Sequence, residues 1–111
     1  MEFHEEDWRR KGATLSDKTA RSEFGLTQDE IIAAIRAGKL QYRRASIQGN
    51  PWLRLLRREV EELVKARHGE QYLHEQQDRT ELARVNREMK QLRTQLAALE
   101  ERRAALLAAL G

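Results

Sequence analysis

The C-terminal third of the chain carries one long helical pattern, which leaves few residues for a compact core. Apolar residues recur there with alternating spacings of three and four, interrupted once by Arg103. They are Leu82, Val85, Met89, Leu92, Leu96, Leu99, Leu106 and Leu110, called the apolar stripe below. A stripe this long cannot be buried on the small domain that precedes it. The sequence therefore predicts a homodimer formed through a coiled coil, in which Arg103 weakens the seam.

A monomer whose helix folds back on itself is the alternative to the dimer. The stretch between Val85 and Leu110 contains no Gly or Pro that would turn the chain. The sequence does not decide the polarity of the coil or its number of strands.

Composition limits the classes of protein to which the chain can belong. Its 111 residues allow one small domain plus an extension, and with aromatic residues at 5% the core must be small. The absence of Cys rules out disulfides and thiolate metal sites. No apolar N-terminal run resembles a signal peptide or a membrane span, so we expect a cytoplasmic protein with no membrane contact.

The sequence also argues against catalysis. Its three histidines are His4, His68 and His74, and the last two are too far apart along a helix to share a face for a metal ion. No Gly-rich phosphate loop and no recognisable nucleophile motif is present. We therefore expect a non-enzyme without a metal, a cofactor or a small-molecule substrate.

Positive charge is concentrated in residues 39–58, called the basic window below. The window holds six Lys and Arg and no Asp or Glu, in a chain whose formal net charge is only +3. A turn signal, Gln48-Gly49-Asn50-Pro51, separates two stretches of alternating residues. The window therefore predicts a basic β-hairpin, a surface that attracts polyanions.

Two short helices are predicted before the hairpin. Ser16 is the candidate N-cap of the first, with Leu15 and Phe24 on its apolar face, and Gly25 ends it. Thr27 and Glu30 form a capping box at the start of the second. Two helices joined by such a turn are a candidate helix-turn-helix, although an arbitrary helical hairpin gives the same pattern.

The second helix is expected to end at Gly38, and a further helix follows the hairpin from Glu59 until a break at Gly69. We therefore expect three parts: an N-terminal arm or short helix in residues 1–12, a domain in residues 13–69, and a coiled-coil helix in residues 70–111.

Two phrases resemble MerR and excisionase-like winged helix-turn-helix proteins. Ile32-Ala33-Ala34-Ile35-Arg36-Ala37-Gly38-Lys39-Leu40 is similar to the phrase that ends the second helix of that family and enters its wing. Arg58-Glu59-Val60-Glu61-Glu62-Leu63-Val64 is similar to the start of the helix after the wing. The resemblance implies a winged helix-turn-helix that binds DNA, and in MerR proteins the long C-terminal helix forms an antiparallel dimer. We therefore expect no effector site of the MerR type.

A second resemblance is to the DNA-binding core of the xeroderma pigmentosum group A family of repair factors, whose fold belongs to the same superfamily. It rests on residues 18–27, on Asn50-Pro51 and on residues 53–61. The four cysteines of that family's zinc module are missing from this chain, so the module's role cannot be carried over.

The expected fold is mainly α with a small β-hairpin: a winged helix-turn-helix domain followed by a long coiled-coil helix. The expected contacts to duplex DNA are made by Lys39, Tyr42, Arg43, Arg44, Arg54 and Arg57 from the basic window and by Gln28 and Arg36 from the second helix. Four alternatives stay open. Arg43, Arg44 and Arg54 can form a solvated hairpin face that binds nothing. Gln28 can belong to a helix cap instead of reading adenine, Arg57 can pair with Glu residues of the following helix, and Tyr42 can pack in the wing or stack on bases.

The expected function is that of a dimeric DNA-binding protein, either a small transcriptional regulator or an architectural factor. A coiled-coil adaptor that binds other proteins and no nucleic acid is the alternative from a different class. Binding of structured RNA is a third possibility.

Overall fold

The computed structural model describes residues 5–111. The chain forms α1 (Glu5–Arg9), β1 (Thr14–Ser16), α2 (Asp17–Phe24), α3 (Gln28–Arg36), β2 (Tyr42–Ile47), β3 (Asn50–Leu56), α4 (Arg57–His68) and α5 (Glu70–Leu110). It is mainly helical, with a small antiparallel sheet and a long C-terminal helix, as predicted at that level. The chain divides into two compact units: the first ends at Asp78, and the second comprises Arg79–Gly111. Residues 1–4, with His4, lie outside the described residues.

The predicted helix caps are confirmed. The Ser16 hydroxyl accepts the backbone N–H of Thr19 at 3.0 Å, and α2 ends at Gly25 with a left-handed φ of 69°. The Thr27 hydroxyl accepts the N–H of Glu30 at 3.1 Å, and the Glu30 carboxylate accepts the N–H of Thr27 at 2.9 Å. These reciprocal bonds satisfy backbone donors that the start of α3 would otherwise leave unpaired.

Gly25 also allows a close approach by α5. The Tyr72 hydroxyl donates to the carbonyl of Phe24 at 3.2 Å, and a Cβ at Gly25 would lie 2.9 Å from that hydroxyl. The left-handed backbone and this contact both require glycine.

The sheet has three strands in the order β1-β3-β2, so the predicted hairpin gains a third strand. β1 pairs antiparallel with the end of β3, where Leu15 lies opposite Leu55. The spacing of Leu15 had predicted that it lies on the apolar face of the first helix. This prediction is wrong, because Leu15 belongs to strand β1. A strand of three residues is too short to produce a recognisable alternation in the sequence.

The hairpin turn consists of Gln48 and Gly49, whose φ values of 51° and 84° are both positive. This is the pattern of a type I′ turn, whose twist matches that of the flanking strands. Asn50 and Pro51 of the predicted turn signal belong to β3. Pro51 lies before the part of β3 that pairs with β1, so its missing N–H removes no bond to that strand.

Both faces of the sheet are covered. Adjacent strand residues point to opposite faces, yet Leu55 and Leu56 are both buried. Leu55 belongs to the main core with Phe24, Ile31 and residues of α4, whereas Leu56 does not. On the Leu56 face lies α1, whose Trp8 is 3% exposed. The sheet therefore separates a helical core from a smaller layer built on Trp8.

The two parts of α5 differ in burial. In the first unit, Leu73 is buried in the main core, with Tyr72 partly buried against it. In the second unit every residue of the apolar stripe is exposed, from 38% for Val85 to 84% for Leu110. Among the described residues, no helix combines the length and the apolar character that crossing a membrane requires.

Candidate nucleic-acid interface

The basic window forms the two hairpin strands, the loop before them and the first turn of α4. The sheet register assigns its bases to different faces, because residues directly opposite each other share a face. Arg43 lies opposite Arg54, and Arg44 lies opposite Leu53. Arg43 and Arg54 therefore share the face covered by α1, whereas Arg44 and Tyr42 are on the face that also carries Leu55.

Arg43 and Arg54 hold α1 on the sheet. The guanidinium carbon of Arg43 lies 4.5 Å from the centroid of the Trp8 ring, and that of Arg54 lies 5.8 Å from it. Arg54 also donates to the carbonyl of Trp8 and, at 3.3 Å, to the hydroxyl of Thr14. Cation–π attraction and hydrogen bonds thus commit both arginines to contacts within the chain.

Carboxylates of α1 pair with two bases of the window. Arg43 donates to both oxygens of Glu5, at 2.6 and 3.3 Å, and this hydrogen bond lowers the pKa of Glu5. Arg58 donates to Asp7 at 3.0 Å. The charge of the hairpin is therefore partly neutralised by a segment that precedes it by more than thirty residues.

Arg57 joins two helices. It donates to both oxygens of Glu23 in α2, at 2.7 and 3.3 Å, and this bonding raises the pKa of the Arg57 guanidinium. The Arg57 side chain is 32% exposed and that of Glu23 is 19% exposed. The acidic partner of Arg57 thus lies in α2. The alternative given above, a Glu residue of the helix that follows the hairpin, is not the partner seen here.

Gln28 is engaged in a buried link between α3 and the sheet. Its amide donates to Asp17 at 3.0 Å, and the other oxygen of Asp17 accepts the backbone N–H of Leu53 at 3.2 Å. Asp17 is only 9% exposed. The side-chain amide of Gln28, which was predicted to contact a base, is therefore engaged in a structural hydrogen bond.

The loop before β2 is held by a second buried carboxylate. Glu59, 9% exposed, accepts the backbone N–H of Gln41 at 2.8 Å and its side-chain amide at 2.7 Å. Bonds to a charged group are stronger than neutral ones. This pair fixes the backbone between Lys39 and Tyr42 against α4.

Four of the predicted contact residues are left open to solvent. Arg36, Lys39 and Arg44 are exposed and form no ion pair with any described residue. Tyr42, between them, is 44% exposed. These four residues are called the open strip below. Of the eight predicted contact residues, the structure thus separates the open strip from Gln28, Arg43, Arg54 and Arg57, which have partners within the chain.

Sequence reasoning missed the residues of α1 that contact the hairpin. The run of acidic residues before Trp8 was visible, but nothing local indicated that it would pack on a strand about forty residues later. Within the part of the chain that the structure describes, no group of His, Asp or Glu side chains could hold a metal ion.

Comparisons with protein-family models, with curated proteins and with solved structures found no match. The two family resemblances given above therefore stay predictions.

Proposed function

We propose that the chain is a non-catalytic protein that binds duplex DNA through the open strip on its hairpin and at the end of α3. The observation that carries this proposal is the exposure of Arg36, Lys39 and Arg44 without acidic partners among the described residues. Carboxylates are absent from the whole basic window. A surface of this kind attracts the phosphate backbone.

The order of elements supports a winged helix-turn-helix. Helices α2 and α3 are joined by a short turn at Gly25, and the β2–β3 hairpin follows as a wing. Strand β1 pairs with the wing and α4 comes after it. This order agrees with the resemblance to MerR and excisionase-like proteins.

Reading of base sequence by α3 is a minor part of the proposal. Asp29 and Glu30 occupy its first turn and repel phosphate, and Gln28 is bonded to Asp17. We therefore propose that contacts to phosphates and to DNA shape dominate over contacts to base edges. An architectural factor or a small transcriptional regulator of modest sequence specificity would bind in this way.

The apolar stripe supports a dimer. Its residues repeat with coiled-coil spacing and are exposed in the second unit. A second copy of the chain, carrying the same repeat, is the proposed partner. Two modest DNA sites joined in this way gain effective concentration without new contacts.

Fluorescence anisotropy with a labelled random-sequence duplex, titrated at several salt concentrations, tests the proposal. We compare the wild type with Lys39→Ala/Arg44→Ala, which removes two bases that pair with no described acid. The matched control is Arg87→Ala/Lys90→Ala, which removes the same charge from exposed positions of α5. Each lost phosphate contact should reduce the log–log salt slope by about 0.9, so the hairpin variant should lose about two units.

The control variant should keep the wild-type slope. Equal effects of the two variants would contradict binding through the open strip. Absence of binding by the wild type at low salt would contradict DNA binding altogether.

A coiled-coil protein-interaction adaptor is the second candidate, favoured by the exposure of the whole apolar stripe. A dimer that binds no nucleic acid at low salt would support it. Competition between matched RNA and DNA duplexes in the same assay separates a preference for structured RNA from the proposed DNA binding.

A further inference from the structure

Helix α1 lies where a polyanion that contacted Arg43 and Arg54 would have to bind. It covers the sheet face that carries Arg43 and Arg54, and its acidic residues pair with Arg43 and Arg58. A phosphate group carries the same sign of charge as these carboxylates and prefers the same guanidinium partners.

We propose that α1 is a built-in competitor of DNA, in which Glu5 and Asp7 occupy Arg43 and Arg58 and so limit the affinity of the hairpin for the phosphate backbone. This inference rests on the proposed DNA binding, and it adds Arg43 and Arg58 to the residues that can contact phosphate, with Arg43 on the sheet face opposite to that of Arg44.

The docking of α1 does not depend on its carboxylates alone. Trp8 is almost fully buried, and Arg54 donates to its backbone carbonyl. Burial of an indole is worth far more than an exposed ion pair. The helix can therefore stay on the sheet while its carboxylates give up their partners.

The ion pairs themselves are open to exchange. The side chain of Arg43 is 40% exposed and that of Glu5 is 62% exposed. Arg58 is 54% exposed beside an Asp7 that is 17% exposed. Exposed pairs of this kind contribute little to stability, so removal of the carboxylate charges should open both arginines to phosphate from solution while α1 stays folded on the sheet.

If the carboxylates served only to attach α1, their removal would loosen the helix without any gain in DNA affinity. If they compete with phosphate, their removal frees two cations of the basic window, Arg43 and Arg58, for the DNA backbone. The number of phosphate contacts, read from the salt dependence of binding, distinguishes these two roles.

The test variant is Glu5→Gln/Asp7→Asn, which keeps the shape of both side chains and removes both charges. Its matched control is Glu6→Gln/Glu62→Gln, which changes the net charge equally at exposed residues that pair with no described base. Binding to a random-sequence duplex is measured at several salt concentrations for both variants and the wild type. Far-UV circular dichroism and thermal unfolding verify the fold.

We expect the test variant to bind about 10-fold more tightly than the control, with a log–log salt slope steeper by about two units. The single variant Glu5→Gln leaves the bond between Asp7 and Arg10 in place. It should steepen the slope by about one unit, and it provides the same test if the double variant is unstable.

If the wild type binds DNA and the test variants have the same affinity and salt slope as the control, the proposed competition by α1 is wrong and the proposed function stands. Absence of DNA binding by the wild type and by all variants would overturn the proposed function and this inference together.

Discussion

Replacement of Trp8 by alanine should strongly destabilise the first unit, although Trp8 belongs to a helix of five residues. The side chain is 3% exposed and packs against Arg43 and Arg54. Truncation of a buried Trp to Ala costs about 3–5 kcal/mol. Because α1 is short and its neighbours can relax, we expect about 3 kcal/mol, which is a large part of the roughly 5 kcal/mol that holds a small domain together.

Urea unfolding followed by far-UV circular dichroism measures this loss, and the fluorescence of Trp52 gives a second signal that the substitution leaves in place. Tyr42→Ala is the control, since Tyr42 is 44% exposed on the other sheet face and should cost less than about 1 kcal/mol. Trp8→Phe keeps an aromatic ring beneath Arg43 and should fall between the two. A Trp8→Ala loss no larger than that of Tyr42→Ala would refute the docking of α1 on the sheet.

Four further predictions test separate features. Gln48→Asn should raise the unfolding free energy by about 0.5 kcal/mol, because Asn tolerates the left-handed turn better than Gln; a decrease would contradict the turn geometry. Asp17→Ala removes two hydrogen bonds to a buried carboxylate and should cost about 3 kcal/mol in urea unfolding; a cost below about 1 kcal/mol would contradict the buried link. The hydrogen bond from the Thr27 N–H lowers the pKa of Glu30 from its usual 4.5, so the stability that Glu30 contributes is present above pH 4.5 and is lost as pH falls through the lower pKa of the folded state. Glu30→Gln should therefore flatten the dependence of the unfolding free energy on pH in this range. An unchanged pH dependence would contradict the capping box. Arg103→Leu should tighten the dimer at least about 10-fold in sedimentation equilibrium, and an unchanged dissociation constant would argue against Arg103 in the seam.

The features that the sequence predicted correctly are mostly local. The caps at Ser16 and Thr27 depend on residues three positions apart, and the end of α2 depends on one glycine. The two hairpin strands and the helix break at Gly69 also follow from neighbouring residues. Such features follow from backbone geometry and hydrogen bonding within a few residues.

The features that the sequence did not reveal depend on contacts between distant parts of the chain. Glu5 and Arg43 are 38 positions apart, Asp7 and Arg58 are 51 apart, and Glu23 and Arg57 are 34 apart. A basic residue looks the same in sequence whether it is open to solvent or paired. Only the folded structure therefore shows which of the predicted contact residues are open to solvent and which have partners within the chain.

The salt dependence of wild-type binding to a random-sequence duplex tests whether the open strip contacts the phosphate backbone. If Arg36, Lys39 and Arg44 each neutralise one phosphate, the logarithm of the binding constant should fall linearly with the logarithm of salt concentration. The slope should be about −2.7 for each protomer, and about twice that for a dimer with both sites engaged. A slope near zero, or no binding at low salt, would contradict the assignment of the hairpin as a DNA-binding surface.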